Sequence, residues 1–379
     1  SGGSSVSTPQ SAPHQSTKQS RFDPQGWLLV ESLRKPTGGD TWDNSHRKQP
    51  NKRYIGIESG GTKLQLGVGR GQSAVLERLE RRQVDANRGA AGILQQIEQT
   101  GRELIEANNV SAIGIGFGGP IDAETGRVIT SHQIDGWDDF PLVEWCDERF
   151  GLPVVLGNDC DTAALAEARF GAGRGKQTVF YVTVGTGIGG GLVIDGRRHG
   201  SGRPAVAEIG HLRPCGFDVA DAHVTVESIA SGPGIESAVK TALSRDDASA
   251  ADDVADLLEL CGGDANEITA VQIADATRRG NAIAAAAING SVECLGWAVA
   301  QMVTLVAADI VVVGGGVSLM GDDLFFTPLR AAAQRHVFGP LANSFDIVPA
   351  ELGEEVVVHG AVALAHISHS DLAQARRSI

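Results

Sequence analysis

The chain has 379 residues, of which 42% are hydrophobic and 21% charged, the balance of an ordinary globular protein. Its formal charge of −14 argues against nucleic acid as the main partner. No apolar run is read as approaching the roughly 18–20 residues that a membrane helix needs, and the N-terminus has no secretory h-region. Five scattered cysteines (Cys146, Cys160, Cys215, Cys261, Cys294) with no CxxC pair read as thiols of a reduced, cytoplasmic protein.

A chain of this length predicts two domains after a tail. Residues 1–53 are rich in Ser, Pro, Gln and Gly, carry eight Lys/Arg against four Asp/Glu, and are expected to be a flexible tail with no helix-turn-helix. From Tyr54 the pattern changes. Strands are predicted at about 54–58, 64–70 and 74–81, then a helix over Ala90–Asn108 from the spacing of Ile93, Leu94, Ile97, Leu104 and Ile105. Val110–Phe117 reads as a buried strand ending in Gly118-Gly119-Pro120, Pro141–Phe150 as a helix, Pro153–Leu156 as a strand and Asp161–Phe170 as a helix. This β-β-β-α-β-α-β-α order predicts a mixed-sheet α/β lobe over 54–170. A second lobe over 171–359 opens with a hairpin near 179–195 and becomes helical from about Thr225. Ala-rich helices run through about 281–307, Ala308–Val313 forms a strand, and a last helix starts near His359.

Two stretches repeat one device. Tyr54–Gly69 and Val179–Asp195 are each a β-prone run, a Gly/Thr-rich turn and a second β-prone run. Such tips let a ligand reach the backbone and offer successive N–H groups to an anion. Gly185-x-Gly187-x-x-Gly190 formally fits a dinucleotide fingerprint, but a strand and turn follow it instead of a helix, which removes that reading. A third cluster, Gly314-Gly315-Gly316, follows the run Val311–Val313, where α/β sheets bind nucleotides. Asn158 and Asp159 stand at a strand-to-helix junction. They are either a helix cap or carboxylate and amide groups facing a cleft, and spacing alone does not separate the two. Glu208, His211 and Glu227 follow the second hairpin; singly, each reads equally as a surface polar group.

Taken in order, these segments resemble the ROK (repressor, open reading frame, kinase) family of bacterial sugar kinases. The likeness runs from about Ile55 to Ala365. It is carried by Ile57-Glu58-Ser-Gly-Gly-Thr62-Lys63, Gly114–Asp122, Asp135-Gly136-Trp137 with Gly157-Asn158-Asp159 and Ala164–Glu167, Gly185–Gly189, Glu208-x-Gly210-His211, and Gly314–Ser318. The resemblance implies an α/β fold of two actin-like (ribonuclease-H-like) lobes with an interlobe cleft, the C-terminal helix (about 360–379) returning to the first lobe. It implies ATP- and Mg²⁺-dependent phosphorylation of a hexose or aminohexose hydroxyl, by a homodimer or homotetramer. Asp159 would be the general base. Gly118, Gly119, Asn158, Glu208, His211 and Glu227 would meet the sugar. Gly60, Gly61, Thr62, Lys63, Thr186, Gly187 and Gly314–Gly316 would hold ATP, and Glu58 is a candidate Mg²⁺ ligand.

Three departures qualify the likeness. The family's zinc motif is reduced to Cys215, with His211 and His223 as other N/S donors, so no zinc is expected. Glu58 stands where Asp is usual, a feature of the fructokinase-like branch. Residues 1–53 are too short for the winged helix of the repressor branch. A non-catalytic sugar sensor is the rival reading; Asp159 and both phosphate loops favour catalysis.

Overall fold

The computed structural model describes residues 52–375 apart from positions 132, 201, 204, 215–222 and 246–249. The expected tail up to Asn51, and Cys215 with positions 216–222 of the reduced zinc motif, lie outside the described residues.

The first sheet is built from β1 (Arg53–Ser59), β2 (Lys63–Gly69), β3 (Leu76–Gln83), β4 (Val110–Phe117) and β7 (Val154–Asn158), in the order β3-β2-β1-β4-β7. β1 to β3 form an antiparallel meander, and β1, β4 and β7 run parallel. A two-stranded ribbon, β5 (Ile121–Asp122) with β6 (Arg127–Val128), follows β4. α1 (Gly89–Ala107) and α2 (Leu142–Phe150) cover one face, with Ile55, Ile57, Leu66, Ile93, Ile97, Ile113 and Ile115 in a single core.

The second sheet repeats this arrangement. β8 (Thr178–Val184), β9 (Ile188–Ile194), β10 (Arg197–Arg198), β11 (Ile310–Gly314) and β12 (Asp346–Pro349) lie in the order β10-β9-β8-β11-β12. β8, β9 and β10 are antiparallel neighbours, and β8, β11 and β12 run parallel. The two hairpins noted in the sequence therefore occupy equivalent positions in two sheets of one topology. Its outer face carries α4 (Val226–Ala230), α5 (Gly232–Leu243), α6 (Ala251–Leu260), α7 (Ala270–Arg278), α8 (Ala282–Val306) and α9 (Thr327–His336).

α3 (Asp159–Phe170) and α10 (Val356–Ala375) make the layer joining the halves. Ala163, Ala164 and Leu165 of α3 share a core with Val179, Tyr181 and Val312 of the second sheet and Val356 and Leu364 of α10. α10 returns onto β1 and β4. Glycine makes that approach possible: a Cβ on Gly114 would stand 2.0 Å from the carbonyl oxygen of Ala361, far inside van der Waals contact.

Three expectations change. α3 begins at Asp159, two residues earlier than the apolar pattern suggests, because Asn158 caps it. α10 begins at Val356, three residues before the predicted start near His359; its first turn is the β-branched run Val356-Val357-Val358, and all three valines are buried, so packing overrides propensity. α8 is long and apolar enough to cross a membrane by length and composition, contrary to the reading of no such run. Leu295, Val299 and Val303 are fully buried there, and α4, α5, α7 and α9 pack around it, so it is a core helix.

Candidate active site

The junction of β7 and α3 separates the two roles that spacing left open. Asn158 is the cap: its Oδ1 accepts the backbone N–H groups of Cys160 (2.9 Å) and Asp161 (3.3 Å). Its Nδ2 donates to the Gly119 carbonyl at 3.2 Å, tying the helix start to the Gly118-Gly119 turn after β4. Asp159 stands in the first helical turn and lines the cleft between the sheets. Its Oδ1 accepts the Cys160 N–H at 2.8 Å, while a Cβ on Gly118 would come 3.4 Å from Oδ2. The absence of a side chain there keeps that oxygen accessible. Burial raises the Asp159 carboxyl above the ordinary range, against the Cys160 N–H and the Asn158 side chain, which lower it. A carboxylate moved upward in this way is a stronger base.

The cleft holds about 500 Å³ and is lined by Glu58, Lys63, Asp159, Thr183 and Gly314–Gly316, with Tyr181, Val356 and Val357 among its apolar walls. Glu58, at the end of β1, is only 6% exposed. Its Oε1 lies 3.0 Å from Lys63 Nζ, which also donates to the Glu354 carbonyl at 3.1 Å. Its Oε2 is buried without a hydrogen-bond partner. Burial pushes the carboxyl up to about 7; Lys63 opposes the shift, and Asp159 and Glu354 add to it. An orphaned carboxylate oxygen beside Asp159 is the hard oxygen donor that Mg²⁺ takes, commonly with only one or two carboxylates and the substrate's phosphates completing its shell. Among the described residues no group of three or more His, Cys, Asp and Glu side chains is placed to hold a metal unaided.

The remaining predicted residues fall into two groups. Gly60, Gly61 and Thr62 form the first tip, closed by the Gly60 N–H on the Lys63 carbonyl at 3.1 Å. Thr186 and Gly187 form the second, where the Gly185 N–H meets the Gly187 carbonyl at 2.9 Å. Glu227 supports that second tip: its Oε2 accepts the Ile188 N–H at 2.7 Å, which leaves Oε1 for other partners. Glu208 and His211 flank a short turn, and both side chains reach solvent. The Glu208 carboxyl is raised by burial, then by the charges of Asp159 and Glu227, with His211 opposing. Glu208 thus lies within electrostatic reach of Asp159, His211 and Glu227 and shares a narrow polar pocket with Asn158, while Asp159 lines the same cleft as Glu58, Lys63 and the Gly314–Gly316 turn.

The sequence reading assigns no role to three further charged residues. Glu167 is fully buried and accepts the N–H groups of Ala172 (2.9 Å), Glu351 (3.0 Å) and Leu352 (2.9 Å), locking α3 to the segment before α10. Asp161 and Arg198 flank Asn158 and Glu208 in a narrow polar pocket.

The ROK family profile matches residues 54–368. A glucokinase of Thermotoga maritima is 29% identical over 319 residues, covering 83% of this chain and 98% of that one. A glucokinase of Streptomyces coelicolor is 31% identical over 322 residues, covering 82% and 96%. Among solved structures, a ROK family glucokinase from Streptomyces griseus in complex with glucose and AMPPNP superposes with a TM-score of 0.69 at 30% identity, covering 83% of this chain and 99% of that one.

Proposed function

Since the chain belongs to the ROK family, has the actin-like fold of its kinases and is an ATP-dependent sugar kinase, we propose that Asp159 is its general base and glucose its acceptor. The observation that carries the assignment is the position of Asp159: inside the cleft, held by the Cys160 N–H and raised by burial, while Asn158 does the capping. Asp159 Oδ2 takes the proton of the sugar hydroxyl as that oxygen attacks the terminal phosphorus of ATP. The bond from phosphorus to the bridging oxygen breaks, and ADP leaves with the electron pair. A positioned base contributes about 10²–10⁴-fold, and positioning with charge stabilisation supplies the rest.

In this reading Asn158, Glu208, His211 and Glu227 exchange hydrogen bonds with sugar hydroxyls, each of which is both donor and acceptor. The Gly118-Gly119 backbone borders the ring. Gly60–Lys63, Thr186 and Gly187 cradle the phosphates, and Gly314–Gly316 border the nucleoside. Glu58 would hold Mg²⁺, which when bound neutralises phosphate charge; its orphaned oxygen supports this. Glucose as acceptor rests on the glucokinase relatives. The buried, unpaired Cys146, Cys160 and Cys261 support a reducing, cytoplasmic setting, and a homodimer or homotetramer is the expected assembly. Sugar-dependent ADP release across glucose, fructose, mannose and N-acetylated hexosamines tests the acceptor: glucose is expected to give the highest kcat/KM, and a tenfold preference for another sugar would replace it.

A further inference from the structure

Arg198 takes no part in the mechanism above, yet it reaches the start of α3 from the opposite sheet. It lies on β10, the edge strand paired with Val193 of β9. Its Nη1 lies 2.6 Å from where a Cβ on Gly157 would stand, so the guanidinium rests against the backbone of β7 one residue before Asn158. Across from it is Asp161, two residues after Asp159. Asp161 Oδ1 is buried without a hydrogen-bond partner. Burial, with the charges of Glu208 and Asp159, pushes the Asp161 carboxyl up to about 6, and Arg198 opposes that shift. Arg198 is itself held below its ordinary value by burial, with Asp161 opposing. Arg198, Asp161, Asn158 and Glu208 share one narrow polar pocket, bordered by Arg203 and Ile121.

A desolvated arginine beside a desolvated carboxylate is costly to keep unless its position matters, and removing one partner strands the other. We propose that Arg198 is a positioning residue for the acceptor half of the site: lying on Gly157 and facing Asp161, it fixes β10 and Glu208 against the helix that carries Asp159. The nucleotide half, built from Glu58, Lys63 and Gly314–Gly316, does not touch this pocket. The effect of losing Arg198 therefore falls on the sugar and not on ATP. The inference rests on the sugar-kinase reading.

The test is steady-state kinetics of the full chain with glucose and ATP varied separately, for the parent, Arg198→Met, Arg198→Lys, Asp161→Asn and the Met/Asn double variant. Arg198→Met is expected to raise the KM for glucose at least tenfold with the KM for ATP within twofold. Arg198→Lys, which keeps the charge but loses the planar fork, is expected to fall between the two. The double variant is expected to be no worse than Arg198→Met, because the two side chains act as a unit. An unchanged glucose KM, equal rises for glucose and ATP, or additive effects of the two substitutions would overturn the proposal; if Arg198→Met fails to fold, Arg198→Lys and Asp161→Asn decide it by the same split. A parent chain without sugar-dependent ADP release would instead overturn the sugar-kinase reading.

Discussion

Lys63 Nζ joins the Glu58 carboxylate at 3.0 Å to the Glu354 carbonyl at 3.1 Å, so the first hairpin is fastened to the turn before α10 at the floor of the cleft. Even with this cation beside it, Glu58 is pushed up to about 7 from an ordinary 4.5, because burial outweighs the ion pair. A cleft that keeps a carboxylate in so dry a place sacrifices stability at neutral pH.

The sign of that effect gives a prediction. A raised carboxyl favours folding while it is protonated; this contribution is complete below about 4.5 and is lost as the pH rises through about 7. Glu58→Gln removes the ionisation. The ligand-free variant should match the parent near pH 4 and exceed its stability at pH 8 by roughly 2–3 kcal/mol, while losing turnover. Urea midpoints at the two pH values check this; a variant less stable at pH 8 would show that the Lys63 pair outweighs burial.

The proposed role of Glu58 in holding Mg²⁺ gives a second prediction. Chelation with EDTA should abolish sugar-dependent ADP release, and added Mg²⁺ should restore it with an apparent affinity weakened in Glu58→Gln. Full turnover in excess chelator would remove the metal from the account.

Asn158 has two structural duties, capping α3 and holding Gly119. Asn158→Ala should lower stability by about 1–2 kcal/mol through loss of the cap and raise the sugar KM, since the Gly118-Gly119 turn loses its tether. A thermal melt and sugar kinetics read the two effects. Unchanged stability would contradict the capping geometry.

The Gly314–Gly316 turn offers a paired control. Gly315 has φ +88, and a Cβ there would stand 2.4 Å from the Val184 carbonyl oxygen, whereas Gly316 has no neighbour within 4 Å. Gly315→Ala should destabilise the protein strongly. Gly316→Ala should fold normally and raise the KM for ATP, because in the proposed arrangement the added methyl would meet only the nucleotide. An unaltered ATP KM in Gly316→Ala would move the nucleoside elsewhere.

Much of the fold was legible in the sequence, and particular residues show why. The strands around Glu58 and Gly185 announce themselves by β-prone runs broken by glycines, and Val110–Phe117 matches β4 residue for residue. Local signals of that kind come from the backbone's own preferences. Asn158 caps α3 through Oδ1 while its Nδ2 donates to the Gly119 carbonyl, a tertiary contact that spacing does not encode. Asp161 and Arg198, 37 positions apart, come to line one pocket only because β10 packs on α3. α10 shows the same limit: the sequence pattern places its start near His359, and the preceding valines join the helix because Val357 and Val358 pack onto Gly116, Gly56 and Gly67 of the first sheet.

The central claim is that Asp159 removes the proton, and Asp159→Asn tests it most directly when glucose binding by calorimetry is measured beside ATP turnover on the same protein. The account predicts glucose affinity within about threefold of the parent and kcat lowered by about 10²–10⁴-fold. An Asn variant that binds glucose and turns over at the parental rate would contradict it.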